Sequence, residues 1–369
     1  MNGPRLSVHL LYLLTWSFIY CCLLQALASF LVWERHLGNS SSWCDYIATL
    51  PNSFTTPHEL DKHHLNHFPW FLQEQALSSS ELVQNCHTHT VLFVKNYKCD
   101  HCELSAAELF TWDNFLWGWC CVNTRAVFIE PENVPLHSLP IKDRNCLALA
   151  PYLDMFNHSD SARVTVGLNS TNDCYEIRTL QPFNKFKEVF INYGPHSNSK
   201  LFLEYGFILP STVHDTIPLK FNHLMKACKS AGLKIQFEYE KIQFLLKHGL
   251  VTQLYISNSG FSWNSLTLLK ILLSNICNAK CWEQISFMGN NHSLINDVTI
   301  NNAKKCVLEL IEADISNSQN SLFEKCRREC CEALNNGKNP SLEIFNALLQ
   351  HLISIIKAAE SSACISSIL

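Results

Sequence analysis

Residues 6–33 contain no Asp, Glu, Lys or Arg, with Arg5 before them and Glu34 after. A run of that length can span a bilayer as a helix. It is long for the apolar region of a signal peptide, although the basic start at Arg5 suits one. Gln25, Ala26, Ala28 and Ser29 dilute its second half, so the part from Leu23 onward reads as a core helix leading into Glu34 and Arg35. Residues 1–22 are a divergent apolar N-terminus for which the pattern predicts no element.

Residues 23–125 continue in a helical period with polar breaks. Helices are predicted over 43–50, ending at Pro51, over 59–75 and over 103–121. The last carries the aromatic stripe Phe110, Trp112, Phe115, Leu116, Trp117 and Trp119, which reads as a core face rather than a ligand box. The pattern changes over 126–208. Short β-type runs occur at 126–129, 163–168, 174–179 and 188–193, and 169–173 fits a hairpin turn. Beyond Pro210 the helical period returns. Ser262 is placed to cap a helix through 266–273, and 302–314, 320–335 and 341–359 also read as helices.

Composition narrows the class. The chain has 369 residues, 47% hydrophobic and 16% charged, which supports a large core and excludes global disorder. A net charge of −4 argues against a general nucleic-acid binder, which needs a basic surface to neutralise phosphates. The 18 cysteines follow no regular spacing and include the adjacent pairs Cys21-Cys22, Cys120-Cys121 and Cys330-Cys331. They read as reduced thiols of an intracellular protein, cytoplasmic or nuclear. The glycosylation triplets at Asn39, Asn157, Asn169 and Asn291 are short enough to arise by chance.

Candidate chemistry sits in two short segments. One is Ala150-Pro151-Tyr152-Leu153-Asp154-Met155-Phe156-Asn157-His158-Ser159, and the other is Ile191-Asn192-Tyr193-Gly194. Leu203-Glu204-Tyr205-Gly206-Phe207 follows, and Trp119-Cys120-Cys121-Val122-Asn123-Thr124-Arg125-Ala126-Val127 precedes. An amide offers both donor and acceptor to a ligand that carries ammonium and carboxylate. A Tyr followed by Gly aims a phenol from the end of an extended segment. In order and spacing these motifs resemble the SET-domain protein methyltransferases of the Rubisco large-subunit methyltransferase type, from about Leu23 to the C-terminus.

The resemblance implies an α+β architecture: a helical insertion over 23–125, a partial SET β-fold over 126–208, and an all-α substrate-binding domain over 209–369. It implies a protein-lysine N-methyltransferase that uses S-adenosyl-L-methionine, with histone lysines among its plausible acceptors. Tyr193 stands at the position of the family's catalytic tyrosine and also borders the cofactor. Asn157 and His158 would grip the cofactor's amino-acid part, while Asp154 holds the loop. Arg125 either pairs the cofactor carboxylate or substrate, or forms a structural salt bridge. Tyr205 is expected in the substrate wall and Phe207 beside the cofactor, with core packing as the rival role for each. The partner is then a protein substrate, without direct nucleic-acid binding, and the enzyme is monomeric.

Two departures qualify that expectation. The family's early strands hold a Gly-x-Gly segment around the cofactor, whereas the glycines before Gly118 are Gly3 and Gly38, neither in such a motif. The expectation is that this part of the SET fold is missing and activity impaired, leaving open a non-catalytic protein-binding module or a membrane anchor through residues 6–33. Second, Cys99-Asp100-His101-Cys102 forms a C-x-x-C, but no second spaced pair accompanies it, so no metal is expected. Many SET enzymes carry a cysteine-rich zinc module after the catalytic strand; here a helical domain stands in its place.

Overall fold

Gly118 lies where two helices cross closely. The aromatic stripe forms the Trp112–Arg125 helix, which packs against the Leu23–Leu37 helix. A Cβ at Gly118 would stand 2.6 Å from the Ala28 carbonyl oxygen and 3.1 Å from Val32 Cγ2. The small residues that weaken the apolar run as a membrane segment therefore permit close helix packing. Ala28, Leu31, Phe115, Cys121 and Val122 are fully buried around this crossing. Gln25 is buried too, and its amide donates to the Cys86 carbonyl (3.1 Å) and Thr90 Oγ1 (2.9 Å). Leu23–Leu37 is thus an interior helix, as its pattern predicts.

The computed structural model describes residues 5–6, 23–99, 102, 104–129, 147–169, 171, 174–233, 235, 239–275, 279–287, 297–332 and 340–365. Most of the apolar N-terminus, Asp100 and His101, and most of the turn expected at 169–173 lie outside them. The chain divides into two compact units. One comprises residues 1–62, 75–196 and 200–207; the other comprises 63–74, 197–199 and 208–369.

Several predicted elements shift before residue 126. The helix expected over 59–75 is broken into a 3-10 turn, Pro57–Glu59, a short helix, Lys62–Leu65, and a long helix, Trp70–Val94. Pro69 disfavours helical geometry at the residue before it, so the long helix starts afresh. It continues well past Gln75 because Ala76, Val83, Cys86, Thr90 and Val94 present a buried stripe. The helix expected over 103–121 is two. Ser105 and Glu108 form a capping box for Ala106–Leu109, and Thr111 accepts from the Asn114 amide (3.3 Å) to start Trp112–Arg125.

The β-elements are small. Val127–Phe128 pairs antiparallel with Leu147–Ala148, and Val164–Asn169 pairs antiparallel with Cys174–Thr179 in the predicted hairpin. The strand expected over 188–193 is an extended segment with one parallel bridge, His158 to Ile191. Its pairing is confined to two backbone bonds, Ser159 N to Ile191 O and Ile191 N to Asn157 O, both 2.9 Å.

The second unit is mainly helical but not all-α. Thr216–Pro218, Tyr255–Ser257 and Gly260–Phe261 form a three-stranded antiparallel sheet, too short to stand out by periodicity. Ser262 does cap the Trp263–Leu273 helix by accepting from the Ser265 amide (3.2 Å). The helices expected over 302–314 and 320–335 are one, Asp297–Glu332, whose Ile300, Ala303, Val307, Ile311 and Ile315 are buried at helical spacing. Among the described residues one stretch, Pro340–Ser361, is apolar and long enough to cross a membrane. Its Phe345, Leu348, Leu349, Ile355 and Ile356 are buried in this unit, and Phe345 stacks on Phe68 at 3.9 Å. The buried Asn198 joins the Leu209 backbone to Asp215, which also contacts His351.

If the helix crossing governs the first unit, Gly118→Ala should destabilise it by about 1–3 kcal/mol through overpacking. Urea denaturation read by tryptophan fluorescence checks this; an unchanged midpoint would show that the two helices can part without cost.

Candidate active site

The Trp112–Arg125 helix ends where the site begins. The Ala126 amide closes on the Val122 carbonyl, and the chain then turns into an extended conformation. This leaves Arg125 at the helix C-terminus, where a cation suits the exposed carbonyls. Arg125 Nη1 donates to the Asp154 backbone oxygen and to Asp154 Oδ2, both at 3.1 Å. Tyr46 also donates to Oδ2 (2.8 Å). The Asp154 side chain is wholly buried, whereas Arg125 keeps 23% of its side chain exposed. Asp154 therefore fixes the loop to two helices, and the salt-bridge role left open for Arg125 is present in the fold. Burial pushes the Tyr46 phenol up, with the Asp154 hydrogen bond adding to it.

The loop that Asp154 anchors carries Asn157 and His158 against the segment that carries Tyr193. The Tyr193 amide donates to His158 Nδ1 (3.1 Å), so that nitrogen is an acceptor. The ring proton is then on Nε2, 3.1 Å from Asp160 Oδ1. His158 is consequently neutral and orients the tyrosine backbone. The Tyr193 hydroxyl donates to the Phe156 carbonyl (2.6 Å). Asn192 Oδ1 accepts from the Gly194 amide (2.7 Å), and Gly194 turns the chain with φ 130°.

Aromatic rings gather around Tyr193. His158 stacks on it at 5.0 Å, Tyr205 lies at 5.2 Å, and Phe207 meets it edge-on at 6.4 Å. Tyr205 and Phe207 come from the end of a π-helix, Leu201–Tyr205, closed by Gly206 with φ 79°. A Cβ on Gly206 would meet Thr55 Oγ1 at 2.5 Å and Thr56 N at 2.8 Å, so space and conformation both demand glycine. Asn123 ties this turn to the aromatic helix by donating to the Glu204 carbonyl (2.7 Å).

A cavity of about 520 Å³ opens beside these residues, lined in part by Asn123, Arg125, Asp154, Tyr193, Glu204 and Tyr205. That size lies in the usual range for a small-molecule site. Arg125, Tyr193 and Tyr205 are thus brought to one cavity. Asn157, His158 and Phe207 stand outside its lining: the Asn157 amide donates to Glu188 (2.6 Å), His158 is buried behind Tyr193, and Phe207 packs in the ring cluster. Sequence reasoning overlooked Glu204 and Asn123, which lie between motif residues without a signature of their own. It also overlooked His36, whose Nε2 lies 3.3 Å from Cys99 Sγ and 3.2 Å from Cys102 Sγ.

Residues 35–194 match the SET domain family. SET domain-containing protein 4 of Homo sapiens is 35% identical over 276 residues, covering 75% of this chain and 61% of the human protein. The protein of the same name from Artemia parthenogenetica is 30% identical over 312 residues, covering 84% of this chain and 74% of its own length. The chain belongs to the SET-domain family. It spans about three-fifths of the length of the human relative. Among solved structures, Rubisco LSMT bound to sinefungin and monomethyllysine is similar with a TM-score of 0.49 at 17% identity, covering 92% of this chain and 76% of that one. The SET match includes Arg125, Asn157, His158 and Tyr193 and ends at Gly194, before Tyr205 and Phe207.

Burial pushes the Tyr205 hydroxyl up to about 12, with the Glu204 carboxylate and Tyr193 adding to the shift. The folded phenol therefore holds its proton more tightly than the unfolded one. Stability that is fully present below about pH 10, the unfolded value, should fall as pH rises towards 12. Tyr205→Phe removes this contribution. Its urea midpoint should drop less than wild type between about pH 9 and about pH 11; equal drops would place Tyr205 in a solvated setting.

Proposed function

We propose that this chain is an S-adenosyl-L-methionine-dependent protein-lysine N-methyltransferase. The observation that carries the reading is the Tyr193–Tyr205 pair, ring centroids 5.2 Å apart, in the wall of the cavity that also receives Arg125 and Glu204. The lining fits both ligands. Arg125 retains an exposed edge for a carboxylate, and Asp154 Oδ1 is buried without a hydrogen-bond partner, an acceptor available to an ammonium or hydroxyl. Among relatives, set11 of Schizosaccharomyces pombe is named a ribosomal lysine N-methyltransferase (33% identical over 162 residues), and a Xenopus tropicalis relative an actin-histidine N-methyltransferase (28% over 257 residues).

The cofactor, when bound, supplies the sulfonium methyl group. The chain's residues supply alignment and the right protonation states. Burial raises the Tyr193 pKa, although the Arg125 guanidinium works against the shift. The phenol therefore stays protonated at neutral pH. With its proton held by the Phe156 carbonyl, its oxygen presents lone pairs as an acceptor, which positions an amine rather than deprotonating it. An ammonium must lose its proton before it can attack, and apolar walls favour that loss by desolvation. Aromatic faces also accommodate the cationic methylated product. Glu204, raised by burial with Lys200 opposing, adds a carboxyl to the same lining. Histone lysines are among the acceptors this reading admits, with a nuclear or cytoplasmic location.

The test is transfer of label from methyl-labelled S-adenosyl-L-methionine to histones, ribosomal proteins and cell extract. Lysine-specific labelling is expected, and Tyr193→Phe should lower it about 100-fold, the usual scale for removing one positioned hydroxyl. Equal labelling by wild type and Tyr193→Phe, or labelling confined to histidine, would overturn the proposal.

A further inference from the structure

The C-terminal turn of the Leu23–Leu37 helix meets the Cys99/Cys102 motif. His36 Nε2 lies 3.3 Å from Cys99 Sγ and 3.2 Å from Cys102 Sγ, and the three ligand atoms all fall within 4.8 Å of one another. One ring nitrogen serves one hydrogen bond, yet two sulfurs converge on it. A zinc ion with Zn–N near 2.0 Å and Zn–S near 2.3 Å would hold nitrogen and sulfur about 3.5 Å apart in a tetrahedral arrangement. The observed distances lie within a few tenths of an ångström of that edge.

The surroundings are built for the cluster. Lys98 bridges Ser105 across the turn, the Cys99 amide donates to the Leu104 carbonyl (2.9 Å), and the Ala106 amide to the Tyr97 carbonyl (3.0 Å). Cys99 and Cys102 thus lie beside these backbone pairings. Cys99 belongs to the buried core, while Cys102 is exposed. The Trp33 ring lies 5.9 Å from the His36 ring and limits its rotation.

We infer that His36, Cys99 and Cys102 form a structural zinc site that staples the Leu23–Leu37 helix to the segment carrying Cys99 and Cys102. Soft thiolate and imidazole donors select zinc over the hard cations. Binding releases both thiol protons to solvent, and two thiolates balance the Zn²⁺ charge. The fourth position falls to solvent. Closing a loop of 63 residues between His36 and Cys99 restricts the unfolded chain, so the ion contributes to stability. The site lies apart from the cavity and does not depend on the methyltransferase reading.

The test is metal analysis of the full chain after dialysis, alongside Cys102→Ser, His36→Gln and, as a control, Cys174→Ser. Wild type and the control should retain about one zinc per chain, while Cys102→Ser and His36→Gln should lose at least tenfold in zinc affinity. Cobalt substitution should give thiolate-to-metal charge-transfer absorption in wild type that falls in Cys102→Ser. Circular dichroism identifies any variant that fails to fold; the exposed Cys102 makes its serine variant the one expected to fold. Wild type without zinc, equal zinc in wild type and a folded Cys102→Ser, or a Cys99–Cys102 disulfide found by mass spectrometry in the freshly purified protein would overturn the assignment.

Discussion

The approach of Gly118 to the Ala28 carbonyl is the constraint on which the first unit depends. It fixes where the Trp112–Arg125 helix runs, and so where Arg125 emerges. Arg125 and Tyr46 then hold Asp154, and Asp154 holds the loop that presents Asn157 and His158. That loop in turn bridges Ile191 and receives the Tyr193 amide. Each step is a short-range contact between buried or half-buried groups. A shift of one helix would therefore propagate to Tyr193 without touching it directly.

Electrostatics in the site follow from desolvation rather than from strong ion pairs. Burial raises Tyr46, Tyr193, Tyr205 and Glu204 alike, which favours their protonated forms. His158 is neutral because its Nδ1 must accept from a backbone amide. Arg125 and Asp154 are the compensated charges. Such a setting disfavours any charge that finds no compensating partner in the wall.

Much of this was legible in the sequence. Helical spacing gave the Leu23–Leu37 helix, alternation gave the 164–179 hairpin, and motif order gave the SET family. What was not legible is long-range. Nothing local to Gly118 announces Ala28, and nothing near Cys99 announces His36, 63 residues away. Local breaks were also missed: Pro69 restarts a helix and Thr111 caps a new one, while the lack of glycine or proline across residues 297–332 lets two expected helices fuse. The three-stranded sheet of the second unit rests on two- and three-residue strands, below what alternation can resolve. Asn157, prominent as a motif residue, turns to Glu188 rather than to the cavity, because a side chain's direction depends on partners that spacing does not encode.

The central claim is that the cavity bordered by Arg125, Tyr193 and Tyr205 receives the methyl donor. Ultraviolet cross-linking of methyl-labelled S-adenosyl-L-methionine to the full chain, followed by peptide mapping, tests it most directly. The account predicts saturable labelling, competed by S-adenosylhomocysteine, in peptides containing residues 122–128 or 191–205. Labelling that does not saturate, or that maps to the unit formed mainly by residues 208–369, would contradict it.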